Sequence, residues 1–424
     1  MLTAYDKRYT ACMHEQSLQH FVGLDIGTST VRAIVGMPNS NDPTKPSIMG
    51  YGSAPNLGMR KGVVVHAEDV AEAIVQAVTE AERLSGVRIH AATVNINGAH
   101  ISGMNSKGVV AISTANREIN DEDRLRVEEA AMIVQLPPNR EIIQVFAKNY
   151  RLDGQENIKD PVGMHGVRLE VDTHIVSASS PNVRLLDTAL EKAQVVPSNH
   201  TVSSLAAAEA VLTRQQKEAG TLLVDIGAGT TNVVVIEDGE VQHVAVLPIG
   251  GVHITNDLAI GLKTDLDVAE QVKIKLADVS TNSDKKHRGS IKVGDVEFTF
   301  NIAEIRMIVE ARTEELFEYI DKELKKIQRS RKLPGGVVLV GGTAKLPGIA
   351  DVGRDKLQLA VRVGMPHSVS GLVESVHDPA ASASVGLMLL DMLMTPTNTT
   401  SKRGSNTKML DSVNGLLHRF RAKS

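Results

Sequence analysis

Residues 224–231 read VDIGAGTT and residues 24–29 read LDIGTS, so one short phrase occurs twice in a chain of 424 residues. Asp25 and Asp225 stand 200 positions apart. That interval is far longer than the ~20–50 residues of a solenoid repeat and suits two tandem domains of one shape. In each copy an apolar strand runs into a glycine turn. Glycine there permits positive φ and lets backbone N–H groups approach an anion closely. A third glycine turn, Gly341–Gly342, follows the apolar run VVLV. Aspartates at the ends of facing strands suit a hydrated Mg²⁺, which keeps several waters and contacts few carboxylates; the alternative is that both only cap turns. Asp25 and Asp225 are the candidate Mg²⁺ ligands, through water.

Composition narrows the class. With 42% hydrophobic and 23% charged residues the chain can bury at least two cores. A net charge of −4 and a pI near 6.4 argue against nucleic acid as a partner, since its binders carry a concentrated basic face. The one cysteine, Cys12, permits no internal disulfide and fits a reducing cytosol. Residues 1–20 lack the apolar stretch of a signal peptide and are expected to form a disordered leader. Aromatic residues are only 3%, so aliphatic and alanine packing must fill the cores, as is common where helices flank sheets. The expected class is α/β.

Periodicity places the elements. FVGLDIGTSTVRAIVG reads as two strands around a turn. Val70, Ile74, Val78 and Ala81 recur at helical spacing, with Gly86 after the end. Strand-like runs between residues 90 and 178 lack a phosphate turn and read as an inserted α+β subdomain. Ser180 is a candidate N-cap with Pro181 at the first helical position. The first half is expected over 21–89 and 179–219. The second spans 220–394, with a smaller subdomain near 262–330. Residues 395–408 read as a flexible linker.

Three such turns in this order resemble the actin-like ATPase superfamily, and within it the FtsA family of bacterial cell-division actins. The resemblance runs from about Phe21 to Met394. It rests on VGLDIGTSTVRAIVG, GMRKGVVV, INGAHISG, KDPVGMHGVRLEV, VDIGAGTTNVVVIEDG, PIGGVHITNDLAIGL and VVLVGGTAKLPGI. It implies an actin-like fold: two duplicated ribonuclease-H-like halves around a nucleotide cleft, an inserted α+β subdomain and a C-terminal amphipathic helix. It also implies ATP with Mg²⁺ as cofactors. Gly27, Thr28 and Ser29 would form the first phosphate loop; Gly227, Ala228, Gly229, Thr230 and Thr231 would form the second. Gly341, Gly342, Thr343 and Lys345 would lie beside the adenosine. Glu270 and Lys273 share a helical face by spacing alone, either as an exposed pair or, as the resemblance implies, at the ribose and adenine. Relatives often carry lysine where this chain has Thr30, and Arg32 lies on the same strand face. Where active superfamily members place a water-orienting carboxylate or amide, this chain reads Ser203–Ser204. No catalytic residue is assigned, and binding is expected to outweigh turnover.

The last stretch, KMLDSVNGLLHRFRAKS, puts Met409, Leu410, Val413, Leu416, Leu417 and Phe420 on one helical stripe, with Arg419 and Arg421 among the basic residues around it. From residue 395 onward six Lys or Arg face one Asp, the pattern of an interfacial helix on an anionic lipid membrane. The alternative is a helix docked on the protein's own surface. The resemblance adds the remaining expectations: a homopolymer at the cytoplasmic face of the cell membrane at the division site, binding the tail of the tubulin-like FtsZ through Glu310, Arg312 and Glu315 and recruiting later division proteins. Rival readings are a pilus-assembly actin homologue, or a sugar kinase or chaperone ATPase of the same superfamily.

Overall fold

Strand β1 (Phe21–Ile26) is buried along its whole length, because helices cover both faces of its sheet. It pairs antiparallel with β2 (Thr30–Met37), and β2 with β3 (Ser47–Pro55). A hairpin of β4 (Met59–Arg60) and β5 (Val63–Val64) leads into α1 (Ala67–Ser85). Helix α1 turns Val70, Ile74, Ala77 and Ala81 into the core, each larger side chain contributing ~1.5–3 kcal/mol on burial. It stops at Gly86, whose φ of 71° lets its N–H cap the Glu82 carbonyl. β6 (Ala91–Ile96) then lies parallel to β1. The structure, a computed structural model, describes residues 19–39, 42, 45–113, 116–280 and 287–395.

The insertion consists of β7 (Ser102–Ala111), α2 (Asp121–Met132), β8 (Arg140–Leu152), β9 (Gln155–Ile158) and β10 (Arg168–Ser179). Val127, Tyr150, Leu169 and Val171 form its own small core. The expected start at residue 90 is therefore too early, since Ala91–Ile96 belongs to the first sheet. A short apolar run does not disclose its partner. The chain returns through α3 (Ser180–Lys192), β11 (Val196–Val202), which is parallel to β6, α4 (Ser203–Val211) and α5 (Arg214–Ala219). Ser180 is the first helical residue and not the cap; Ser179 holds the cap position without a side-chain bond.

The second half repeats the plan. β12 (Thr221–Ile226), β13 (Thr231–Glu237) and β14 (Glu240–Leu247) form an antiparallel meander, followed by α6 (Gly251–Leu262) and α7 (Leu266–Leu276). A two-stranded sheet of β15 (Arg288–Val293) and β16 (Val296–Asn301) precedes α8 (Ile302–Lys326). β17 (Val337–Val340) runs parallel to β12, followed by α9 (Ile349–Leu357) and β18 (Val361–Val363); β19 (Ser370–Gly371) then pairs with β3 of the first sheet and α10 (Ser382–Met394) packs on β1, so the expected extent of the second half, 220–394, runs too far. Strand order is β11-β6-β1-β2-β3 in one sheet and β18-β17-β12-β13-β14 in the other. The two arrangements are the same, so the repeated phrase marks a repeated fold.

Two joints tie the parts together. Ala245 of β14 pairs with Ser102 of β7, so the insertion extends the second sheet. There the Val244 N–H donates to His174 Nε2 at 3.1 Å, and burial pushes that imidazole down to about 3. Helix α10, although last in the described chain, packs on β1 and crosses α4 so closely that a Cβ on Gly386 would lie 1.8 Å from the Ala206 carbonyl oxygen.

Candidate functional site

The two glycine turns close alike. Gly27 N–H donates to the Thr30 carbonyl at 3.1 Å, and Gly227 N–H to the Thr230 carbonyl at 2.9 Å. Register matches as well: Asp25 faces Arg32 across its hairpin, and Asp225 faces Asn232. Helix α6 braces the second turn, its Gly251 and Val252 amides donating to the carbonyls of Gly227 and Ala228 at 3.0 and 2.8 Å. Both turns open onto a cavity of about 480 Å³ between the halves.

Asp25 and Asp225 line this cavity and are only 6% and 9% exposed. Burial raises the Asp25 carboxyl to about 6 against the pull of the Arg32 guanidinium, 3.9 Å away. Burial, then the negative charge of Asp25, raises Asp225 to about 7. Asn95 positions Asp25: its Nδ2 donates to the carboxylate at 2.6 Å and to Ser203 Oγ at 3.0 Å, while its Oδ1 accepts the Ile26 N–H at 2.6 Å. Gly341, at φ 88°, approaches so near that a Cβ there would sit 2.5 Å from Asp225 Oδ1. Two desolvated carboxylates with a deficit of positive charge form an oxygen donor set that fits a hard divalent cation sharing its shell with water or phosphate. Among the described residues no group of three or more His, Cys, Asp or Glu could hold a metal alone.

At the other end, Lys273 Nζ contacts Glu270 at 2.6 Å, Thr255 Oγ1 at 2.9 Å and the Gly251 carbonyl at 3.2 Å. Thr343 Oγ1 donates to the Gly227 carbonyl at 3.0 Å, and Lys345 pairs with Asp378 at 2.7 Å. Gly27, Thr28, Ser29, Gly227, Ala228, Thr230, Glu270, Lys273, Gly341, Gly342, Thr343 and Lys345 all line the cavity. Gly229 and Thr231 are not in it. Gly229 packs on Thr28 and Lys61, and the Thr231 hydroxyl is spent on the Ile249 carbonyl at 2.8 Å. Ser203 lines the cavity, whereas Ser204 is fully buried with its hydroxyl unpartnered.

Sequence reasoning missed Asn95, Asn97, Thr255 and Asp378. The asparagines had a signal: in TVNIN they alternate at the end of a strand, so both point to one face. Thr255 and Asp378 had none, because each reaches the site through tertiary packing. Away from the cavity, Arg312 grips Asp257, with Nη2 to Oδ1 at 2.9 Å, and also pairs with Glu315, while Glu310 lies 3.8 Å from Arg306. Asp257 was not foreseen as the partner of Arg312. The residues of the basic apolar tail, from Met409 to Arg421, lie outside the described residues. No described helix is long and apolar enough to cross a membrane.

Known proteins share this architecture. A solved structure titled PilM-PilN type IV pilus biogenesis complex aligns at 19% identity and TM-score 0.62, over 88% of this chain and 98% of that one. MreB5 of Spiroplasma citri bound to ADP aligns at 13% identity and TM-score 0.50, over 86% of this chain and 94% of that one. These likenesses show the actin-like fold. Family models described as "Cell division protein FtsA" and "SHS2 domain inserted in FTSA" match residues 222–386 and 98–177. The Cell division protein FtsA of Pseudomonas aeruginosa is 37% identical over 88% of this chain and 89% of its own length. That of Bacillus subtilis is 36% identical over 87% and 82%. The duplicated halves, the insertion and these relatives lead to one assignment: the chain belongs to the FtsA family of cell-division proteins.

Proposed function

We propose that this chain binds ATP with Mg²⁺ between its halves, polymerises on the cytoplasmic face of the cell membrane at the division site, and tethers the FtsZ ring there while recruiting later division proteins. The observation that carries the reading is the cavity itself: two equivalent phosphate-type turns, a third glycine turn and two desolvated aspartates all line it. Asp25 and Asp225 would hold the Mg²⁺, which when bound neutralises phosphate charge. The glycine turns present backbone amides to the phosphates, and Glu270 and Lys273 take the ribose and base. Asn95 orients Asp25, and Ser203 offers only a hydroxyl where a carboxylate or amide would orient water, so turnover is slow. Arg312, Glu315 and Glu310 form the face for the FtsZ tail, which must compete with Asp257 for Arg312.

The tail supplies the membrane contact. One such helix binds weakly and reversibly, so a polymer presenting many gains avidity. The test is calorimetry with ATP·Mg²⁺ alongside pelleting with anionic vesicles, with and without nucleotide. Micromolar binding, vesicle pelleting and phosphate release well below ~10 s⁻¹ are expected. No heat of binding defeats the nucleotide reading, and no pelleting defeats the tether.

A further inference from the structure

The segment GMRKGVVV, residues 58–65, lies between β3 and α1. It folds as the β4–β5 hairpin, with Lys61 and Gly62 at its tip in left-handed conformations of φ 51° and 76°. Gly62 N–H donates to Thr28 Oγ1 at 3.1 Å. A Cβ placed on Gly229 would lie 2.8 Å from the Thr28 side chain and 3.2 Å from Lys61 Cα, and one on Gly62 would lie 3.0 Å from Thr230 Cγ2. The tip is therefore wedged against both phosphate-type turns, with glycine backbone at each close approach. A side chain could be accommodated at neither Gly62 nor Gly229 without prising the turns apart.

Charge sets this hairpin apart. Every cation lining the cavity is already paired: Arg32 with Asp25, Lys273 with Glu270, and Lys345 with Asp378. Lys61 is exposed and forms no ion pair among the described residues. Its charge is felt across the cleft at His253, in the first turn of α6, where burial first and then the Lys61 and Arg312 cations hold the imidazole below its usual value. A triphosphate brings more negative charge than one divalent cation neutralises. Lys61 does not line the cavity itself but stands beside Gly229 at its margin, so its unpaired ammonium meets the remainder only by swinging its flexible stem past the second turn.

We propose that the β4–β5 hairpin is a phosphate clasp, in which Lys61 supplies the unpaired cation for the terminal phosphate of a nucleoside triphosphate and the Gly62 amide holds the Thr28 hydroxyl in place. This rests on the nucleotide reading of the cavity. The clasp discriminates by phosphate count, since its cation stands at the phosphate turns and away from the Glu270–Lys273 end.

The test titrates the full chain with ATP·Mg²⁺, ADP·Mg²⁺ and adenosine by calorimetry, comparing the parent with Lys61→Ala and Lys61→Arg. Removing one charge-assisted contact is expected to weaken ATP·Mg²⁺ about tenfold, with a smaller loss for ADP·Mg²⁺ and none for adenosine. Lys61→Arg should restore most of the loss. The exposed position makes misfolding of either variant easy to exclude by circular dichroism. If the parent binds ATP·Mg²⁺ and Lys61→Ala binds it equally well, the clasp is refuted while the nucleotide site stands. Equal losses for all three ligands refute it too. A parent that binds none of them removes both readings.

Discussion

Acidifying the solution from pH 8 to pH 6 is expected to weaken ATP·Mg²⁺ binding steeply, because the two aspartates that would hold the cation are poised to protonate. In the metal-free protein Asp25 lies at about 6 and Asp225 at about 7, both above the ordinary 3.8 of an aspartate. A raised acid favours the protonated form, and a cation must displace that proton. At pH 8 nearly all molecules carry both charges. At pH 6 the coupled pair holds at least one proton in most molecules, so the fully charged form is a minority and affinity drops on the order of tenfold. Calorimetry in buffers of different ionisation heat reads both quantities, the affinity and the protons released on binding. Asp225→Asn should bind more weakly at pH 8 and show a flatter profile, having lost the upper titration. An affinity constant to within twofold between pH 6 and 8, with no proton release, would refute the reasoning that these carboxylates meet the metal.

Three further outcomes are expected. Gly341→Ala puts a Cβ 2.5 Å from Asp225 Oδ1 at a φ of 88°, so it should cost about 1–2 kcal/mol of stability and most Mg²⁺-dependent affinity; a melting curve and titration like the parent's would contradict the close approach. Asn95→Ala orphans the Ile26 N–H and removes a donor from Asp25, and should lower stability by about 1–3 kcal/mol, measured by urea unfolding. Phe420→Glu places a charge in the apolar stripe of the tail and should abolish pelleting with anionic vesicles while leaving ATP·Mg²⁺ affinity unchanged; pelleting at the parent's level would show that the tail is not the anchor.

The turns were legible because their constraint is local. A strand that must stop, turn tightly and expose amides writes Asp-Ile-Gly into consecutive residues, and it does so twice. That Glu270 and Lys273 share a helical face was legible by spacing, and they pair across it. The boundary of the insertion was not, because Ala91–Ile96 is a short apolar run whose membership of the first sheet depends on pairing with β1 and β11, more than a hundred residues from one another. Thr231 and Gly229 entered by their place in a motif, and neither lines the cavity: the Thr231 hydroxyl bonds the Ile249 carbonyl, and Gly229 packs on Thr28. Asp257 escaped notice because an ion pair between α6 and α8 leaves no mark in either helix's own pattern.

The route of α10 has a mechanical consequence. Its Asp391 carboxylate accepts the Val22 N–H at 2.9 Å and the Thr93 hydroxyl at 2.8 Å, so the end of the described chain is riveted to the beginning of β1 and to β6 beside it. Tension applied to anything beyond Thr395 therefore enters the first sheet directly and is borne by a buried strand. Because Ala383, in the first turn of the same helix, lines the cavity, that load also runs along the cavity's edge.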